Sequence, residues 1–514
     1  MMEKTARKRH VAALLILLLG NLLLFLTIWL LEKYDNVSSD QILFQIKSPA
    51  SGAHTDLMSS AVVRVGGFGI VITAIELFVY LLLSGELHEK LHSHCRYREY
   101  CSTKMPDFFR KSALIFAVAV LMMATDFFLS ELDVIAYIET VTTESDFIEE
   151  HYVDPNTVEL KFPQKKRNLV YIFLESMEAT YTDVTAGGSI TKDFIPELTV
   201  LAKENTSFSN TDGVGGALSF NGTTWTAAAM VTQTSGVLVK VPLTADNYGG
   251  EDEFIPGVIS IGEILEKQGY HQMLLLGSDA SFAGRDSYFT EHGNYEILDI
   301  NALKEEGRLP EDYEEWWGFE DQKLFAYAKE ELLHLAGEGK PFNFTMLTAD
   351  THFPDGYSCP LCSDEHQEQY ANVLSCSSRQ VADFINWIKE QPFYENTTIV
   401  ICGDHLTMDP EFLDEIDENY VRTIYNCIIN APVEPVSKKN RQFGTFDMFP
   451  TTLAALGVEI EGNRLGLGTN LFSTEQTLTE QYGFEVLDLE LQKNSVFYNT
   501  QFLEMDEEKQ LIIE

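Results

Sequence analysis

The 514-residue sequence predicts an α/β fold, with three N-terminal transmembrane helices followed by an extracytoplasmic domain whose mostly parallel sheet is covered by helices on both faces. Three observations carry that reading. Three apolar stretches, each of about the 20 residues that a bilayer core requires, lie ahead of residue 131. Basic residues are distributed unevenly between the loops that flank them. Beyond residue 168, short wholly apolar runs alternate with helical patterns.

The first stretch, Val11–Leu31, is aliphatic except for Gly20, Asn21 and Thr27. No small-residue cleavage site follows it, so it reads as a span and not as a removable signal. Ala61–Leu83 and Ser112–Ser130 are the other two spans. Glu76 and Asp126 fall inside them, as helix–helix contacts or as functional intramembrane acids. Lys4, Arg7, Lys8 and Arg9 precede the first span, and Lys90, Arg96, Arg98, Lys104, Arg110 and Lys111 lie between the second and third. Only Lys33 and Lys47 lie between the first and second, and the segment after the third is acidic up to Lys161. The expected topology is a multi-pass protein of the cytoplasmic membrane, with its N-terminus inside and everything beyond about residue 131 outside.

Charge divides the same way. Residues 1–111 carry 13 of the 36 Lys and Arg and 10 of the 78 Asp and Glu, so the remainder holds 23 basic and 68 acidic residues, a balance of −45. Such a domain repels nucleic acid, which is excluded as a partner. An anionic substrate would need a local cationic pocket or delivery in the membrane plane.

Residues 132–167 read as a connector ending in "PQKKRN", 168–472 as the α/β domain and 473–514 as an acidic appendage. The expected strands are Leu169–Leu174, Gln272–Leu276, Phe342–Leu347, Thr397–Cys402 and Tyr425–Ile429. The expected helices are 195–204, 224–233, 260–268, 321–336, 377–390 and 446–456. Of the seven cysteines, Cys95 and Cys101 belong to the cytoplasmic loop as thiols, and Cys402 and Cys427 to buried strands. Cys359, Cys362 and Cys376 lie close together in the outer domain, where disulfides persist. The "CPLC" pair with a third Cys suggests a zinc site, but His366 is the only further ligand type nearby, so a Cys362–Cys376 disulfide is expected instead.

In a parallel sheet, ligands bind beyond the carboxyl ends of the strands. There "LVYIFL" ends in Glu175 and "TIVICG" in Asp404-His405, while "FNFTML" leads to His352 and "QMLLLG" to Arg285. Two carboxylates and an imidazole at one sheet edge suit a divalent cation, which would offset the cost of burying Glu175. Singly, a Glu after a strand is more often a helix-start carboxylate or a surface residue, and an Asp-His pair is often only a turn; their joint occurrence at strand ends carries the reading. In "SFNGTTWTAAAM", Thr223 and Thr224 stand where a helix should begin, either as ordinary N-caps or as a nucleophilic hydroxyl at a helix N-terminus.

Together, "NLVYIFLESMEATY", "NGTTWTAAAM", "FAGRD", "WGFEDQ", "TADTHFPDGY", "VLSCSSRQVADFI" and "IVICGDHL" resemble the membrane-anchored phosphoglycerol transferases, a sulfatase-like branch of the alkaline phosphatase superfamily. The resemblance runs from about Asn168 to Ser473. It implies transfer of phosphoglycerol from phosphatidylglycerol to an acceptor hydroxyl of a carbohydrate or glycolipid, with release of diacylglycerol. It also implies one divalent cation, manganese or magnesium, held by Glu175, Thr223, Asp404 and His405. Thr223 matches the residue that becomes covalently modified, in the register of Thr223-Thr224-Trp225-Thr226, with Thr224 next if that register slips. Arg285 matches a phosphate-holding residue and His352 one that contacts the reacting group. Cys362 and Cys376 match paired cysteines of glucan-directed relatives, whereas Cys359 is extra. No C/S-x-P-x-R sulfatase motif occurs, and no histidine follows His405, which favours a single cation. Two other readings stand beside the transferase: a hydrolase with water as acceptor, and a non-catalytic membrane sensor.

Overall fold

The computed structural model describes residues 2–34, 39–47, 59–83, 107–241, 254–313, 315–409, 412, 416–417 and 419–505. Cys95 and Cys101, with Lys90, Arg96, Arg98 and Lys104, lie outside the described residues. The chain divides into two compact units, residues 1–39 with 54–138, and residues 40–53 with 139–514.

Among the described residues of the first unit, three helices are long and apolar enough to cross a membrane: Val11–Lys33, Ser59–Leu81 and Ala113–Glu131. Gly20 lets the first and third come together, because a Cβ there would stand 3.0 Å from Leu121 Cα. The Asn21 amide donates to Thr73 Oγ1 at 3.0 Å and to Glu76 Oε2 at 2.7 Å, so Glu76 serves a helix–helix contact.

The second unit is built on a six-stranded sheet. Its strands are β1 (Asn168–Leu174), β2 (His271–Leu276), β3 (Glu296–Leu298), β4 (Phe342–Leu347), β5 (Thr397–Gly403) and β6 (Asn426–Ile429). Their order is β3-β2-β4-β1-β5-β6, parallel throughout except for the antiparallel β5–β6 pair. Every residue of β1 is buried. Leu169, Tyr171 and Phe173 join one hydrophobic core, whereas Val170, Ile172 and Leu174 join the other. A strand apolar at every position is what a sheet covered on both faces demands, since its side chains alternate between the two layers.

Helix Gln369–Lys389 begins eight residues ahead of its expected start. Ser375, Cys376, Ser377 and Ser378 interrupt its apolar pattern, but tertiary contacts absorb the polarity of Ser375 and Ser378. Ser375 Oγ donates to the Phe194 carbonyl at 2.8 Å, and Ser378 Oγ donates to Glu197 at 2.7 Å while accepting from Leu198 N at 3.1 Å. Strand β3, a three-residue edge, is too short to be legible in the sequence. The connector and the acidic appendage are both built into this unit. Leu160 pairs with Ile460, and Leu478, Leu487 and Tyr498 are fully buried in the core. Residues 40–47 also belong here: Phe44 is fully buried, its ring 5.1 Å from that of Trp225, and Gln41 Nε2 donates to Met408 Sδ at 3.2 Å.

Candidate active site

The parallel register sets the site. Leu174 at the end of β1 pairs with Gly403 at the end of β5, so the next residues, Glu175 and Asp404, emerge side by side. Gly403 is required there, because a Cβ would lie 2.0 Å from the Met177 carbonyl oxygen. Ser176 takes φ +50°, a left-handed conformation that side chains seldom adopt, and this turns its N–H onto Asp404 Oδ1 at 2.8 Å. Its hydroxyl donates to Glu175 Oε1 at 2.9 Å. Thr348, after β4, accepts the Glu175 N–H at 3.0 Å, and Thr351 Oγ1 donates to the Glu175 carbonyl at 2.5 Å. Three strand ends thus fix one carboxylate.

Glu175, Asp404 and His405 converge, each presenting one ligand-type atom within 4.8 Å of the others, and all three are buried. His405 Nε2 lies 3.4 Å from Glu175 Oε1 and 3.5 Å from Asp404 Oδ2. His405 Nδ1 donates to the Leu406 carbonyl at 2.8 Å, which leaves Nε2 facing the carboxylates.

Burial next to Glu175 pushes the Asp404 carboxyl up to about 7, against the pull of His405 and two backbone N–H groups. Burial also opposes the Glu175 carboxylate, but His405 and His352 outweigh it and hold that group below its usual range. Burial works against a charged His405 too, yet Asp404 and Glu175 raise its pKa. Asp404 Oδ1 accepts from Ser176 N and His405 N, whereas Asp404 Oδ2 has no hydrogen-bond partner among the described residues. A buried carboxylate oxygen without a donor, beside a second carboxylate and an imidazole nitrogen, fits a divalent cation.

The hydroxyl that meets this set is Thr226, not Thr223. Thr226 Oγ1 donates to Glu175 Oε2 at 3.2 Å and lies 3.3 Å from His405 Nε2. Thr223 is turned away: its Oγ1 donates to the Phe220 carbonyl at 2.8 Å and accepts from Phe220 N at 3.1 Å. The reason is where the helix starts. Helix Thr226–Ser235 begins three residues beyond Thr223, so Thr223 closes a tight turn and Thr226 takes the first helical position. Gly222, at φ +79° and packed against the Val239 carbonyl, makes that turn possible. Thr224 Oγ1 is buried without a hydrogen-bond partner and is not among the groups that meet the carboxylates. The sequence signal for Thr226 lies within "TTWT", at the far end of the pattern that points to Thr223.

Arg285 and His352 bear on the same centre electrostatically, since each interacts with the Glu175 charge. Burial lowers the Arg285 pKa to about 10, and Asp279 and Glu175 counter it. Its guanidinium donates to the Phe282 carbonyl, Ser278 Oγ and the Asp279 carbonyl at 3.0, 3.1 and 2.6 Å, leaving Nη1 without a hydrogen-bond partner among the described residues. His352 is held between the Trp317 and Phe353 rings, at 4.6 and 5.0 Å, with Nδ1 donating to the Phe353 carbonyl at 2.7 Å.

Two supports carry no local signal in the sequence. Glu178 is fully buried and paired bidentately with Arg422, at 2.6 and 3.1 Å, and it accepts from Thr407 N at 2.9 Å, anchoring the loop after His405. Asp488, in the C-terminal segment, accepts from Asn221 N at 2.8 Å and from Asn221 Nδ2 at 2.7 Å, fixing the turn that precedes Thr226.

A parallel sheet carrying an acidic, histidine-containing centre at the carboxyl ends of its strands defines a sulfatase-like domain. The chain belongs to the Sulfatase family, whose model matches residues 167–458. It is 32% identical over 329 residues to phosphoglycerol transferase I of Salmonella choleraesuis, covering 62% of this chain and 41% of that protein. It is 32% identical over 320 residues to phosphoglycerol transferase I of Escherichia fergusonii, covering 60% and 40%. The chain thus spans about two fifths of the length of these curated relatives. Among solved structures, a lipoteichoic acid synthase from Listeria monocytogenes superposes with a TM-score of 0.47 at 19% identity, over 64% of this chain and 80% of that one.

Proposed function

We propose that this protein transfers phosphoglycerol from phosphatidylglycerol to an acceptor hydroxyl, on a cell-surface or periplasmic glucan or glycolipid, and releases diacylglycerol. The observation that carries the proposal is the Thr226 hydroxyl, which touches both Glu175 and His405 at the first turn of a helix. The names of the similar proteins supply the transferred group, and the three apolar helices supply proximity to a lipid donor. The N-terminus faces the cytoplasm in this proposal, and the α/β unit lies outside.

Glu175, Asp404 and His405 would hold one divalent cation, manganese or magnesium, with Thr226 as the hydroxyl beside it. When bound, such an ion neutralises phosphoryl charge and lowers the pKa of a neighbouring hydroxyl. Thr226 Oγ, its proton released to solvent, forms a bond to phosphorus as the bond from phosphorus to the diacylglycerol oxygen breaks. The helix N-terminus and the unpartnered Nη1 of Arg285 face the equatorial phosphoryl oxygens. Because His352 Nδ1 donates to a backbone carbonyl, Nε2 is the atom that handles protons. It gives one to the departing diacylglycerol oxygen and later takes one from the acceptor hydroxyl, whose attack on phosphorus frees Thr226.

The test is mass spectrometry of the full chain after incubation with phosphatidylglycerol and manganese. One phosphoglycerol on the peptide bearing Thr226 is expected. Modification of Thr223 instead, or none at Thr226 despite diacylglycerol release, overturns the assignment. Adding a glucose-based acceptor separates transfer from hydrolysis, since a hydrolase leaves that sugar unmodified.

A further inference from the structure

Away from the catalytic centre, the loop that follows His352 carries Cys359 and Cys362, and the second turn of helix Gln369–Lys389 carries Cys376. The expected Cys362–Cys376 disulfide is not formed, and all three residues are free cysteines. Cys359 sits between the other two. Its Sγ is 3.8 Å from Cys362 Sγ and 3.7 Å from Cys376 Sγ. Cys359 and Cys376 are buried, and Cys362 is half-buried.

These spacings discriminate between chemistries. A disulfide needs sulfurs about 2.0 Å apart. Two thiolates on one tetrahedral zinc, each about 2.3 Å from the metal, are about 3.8 Å apart. Both measured separations fall at the second value, and all three sulfurs lie within 4.8 Å of one another. The surroundings also suit a metal-bound thiolate. Gln380 Nε2, a group that can only donate, approaches Cys376 Sγ at 3.5 Å and Cys359 Sγ at 3.9 Å. A donor directed at sulfur is an outer-shell feature of a metal thiolate. Cys362 N closes the turn of this loop onto the Cys359 carbonyl at 3.0 Å.

We propose that Cys359, Cys362 and Cys376 bind a structural zinc ion, distinct from the catalytic cation. Three S–H protons leave as three sulfur–zinc bonds form, and solvent reaching the half-buried Cys362 side supplies the fourth ligand. His366 is not that ligand, because its Nε2 meets Ser375 Oγ at 3.2 Å and its ring packs on Phe194. The ion ties the 353–368 loop to helix Gln369–Lys389 and thereby braces the segment that presents His352. It also keeps an odd number of neighbouring thiols from random oxidation outside the cell.

The inference does not depend on the proposed transferase activity, and its test is independent of turnover. The full-length chain, purified in detergent, is exchanged into buffer with zinc and freed of excess. Its metal is then measured in a Glu175→Gln/Asp404→Asn background that disables the catalytic centre. One zinc per chain is expected, falling to none when Cys359→Ser and Cys376→Ser are added. Because those variants can misfold, the wild-type chain is also denatured without reductant, with and without chelator, and alkylated. Three alkylated thiols at 359, 362 and 376, appearing only once zinc is removed, are expected. A Cys362–Cys376 disulfide with Cys359 alone alkylated would overturn the proposal, as would three thiols reactive in a zinc-free folded chain that takes up no zinc.

Discussion

Replacing Thr226 and Thr223 separately by alanine distinguishes a chemical role from an architectural one, and the structure sets opposite expectations for the two. Thr226 lies at the first turn of its helix, half-buried, with two hydrogen-bonding contacts, both to the catalytic centre. Thr226→Ala removes the proposed nucleophile. Turnover should fall by at least ~10⁴-fold, which at ~1.4 kcal/mol per decade is over 5 kcal/mol of transition-state stabilisation. Its effect on folding should stay within about 1 kcal/mol, because both hydrogen bonds of the Thr226 hydroxyl are long and neither caps the helix. Thr223→Ala is the reverse case. It deletes the bonds at 2.8 and 3.1 Å to Phe220, and it strands the buried Phe220 N–H. One net hydrogen bond at roughly 1 kcal/mol, with a stranded donor at roughly 1–3 kcal/mol, gives a destabilisation of about 2–4 kcal/mol. Activity per folded molecule should fall less than ~10-fold, because no hydrogen bond of Thr223 reaches the centre. The assay is diacylglycerol release from phosphatidylglycerol by the solubilised full chain, normalised to the folded fraction from thermal melts. Full activity in Thr226→Ala, or a dead but stable Thr223→Ala, would refute the reasoning.

Further expectations concern the carboxylates and the packing around them. Asp404→Asn keeps an acceptor for the Ser176 and His405 N–H groups but removes a ligand charge. Its cation affinity, measured by titration calorimetry, should fall by more than the roughly 10–100-fold that losing an outer-shell partner costs, and unchanged affinity would exclude Asp404 as a ligand. Asp350 and Asp321 are both buried: desolvation and then repulsion by Asp321 push the Asp350 carboxyl up to about 10, and desolvation, against two backbone N–H groups, pushes Asp321 up to about 7. Folding therefore holds protons that the unfolded chain has released above about pH 4. The stability this supplies is complete below that pH and is lost as pH rises through the folded values, by at most about 1.4 kcal/mol per pH unit per proton. Asp350→Asn should flatten the fall of melting temperature between pH 5 and 9, with Asp321, Asp404 and Asp447, each raised to about 7, accounting for the slope that remains. An equal slope in the variant would count against the pair. Phe44→Ala empties a fully buried site against Trp225 and should cost about 3–5 kcal/mol in a denaturant melt of the full chain, whereas an unchanged midpoint would argue that helix Ser39–Lys47 is not docked there.

The sequence by itself determined five of the six strands of the sheet and which polar residues end them. A parallel strand covered on both faces is apolar at every position, so its carboxyl end is marked by the first charge, as "LVYIFL" is by Glu175 and "TIVICG" by Asp404. Membrane spans were legible for a similar reason, because hydrocarbon tolerates few polar groups over about 20 residues. Tertiary structure alone decided the rest. Which of three threonines in "TTWT" faces the carboxylates depends on where the helix starts, and the Phe220 turn, Gly222 against Val239 and Asn221 on Asp488 set that start from distant parts of the chain. The C-terminal segment reads as an appendage because charge dominates its composition, yet three short helices of it each bury a residue in the core, Leu478, Leu487 and Tyr498. The cysteines show the same limit: the sequence reading pairs Cys362 with Cys376, and only the packing of the loop on helix Gln369–Lys389 puts the third sulfur between them.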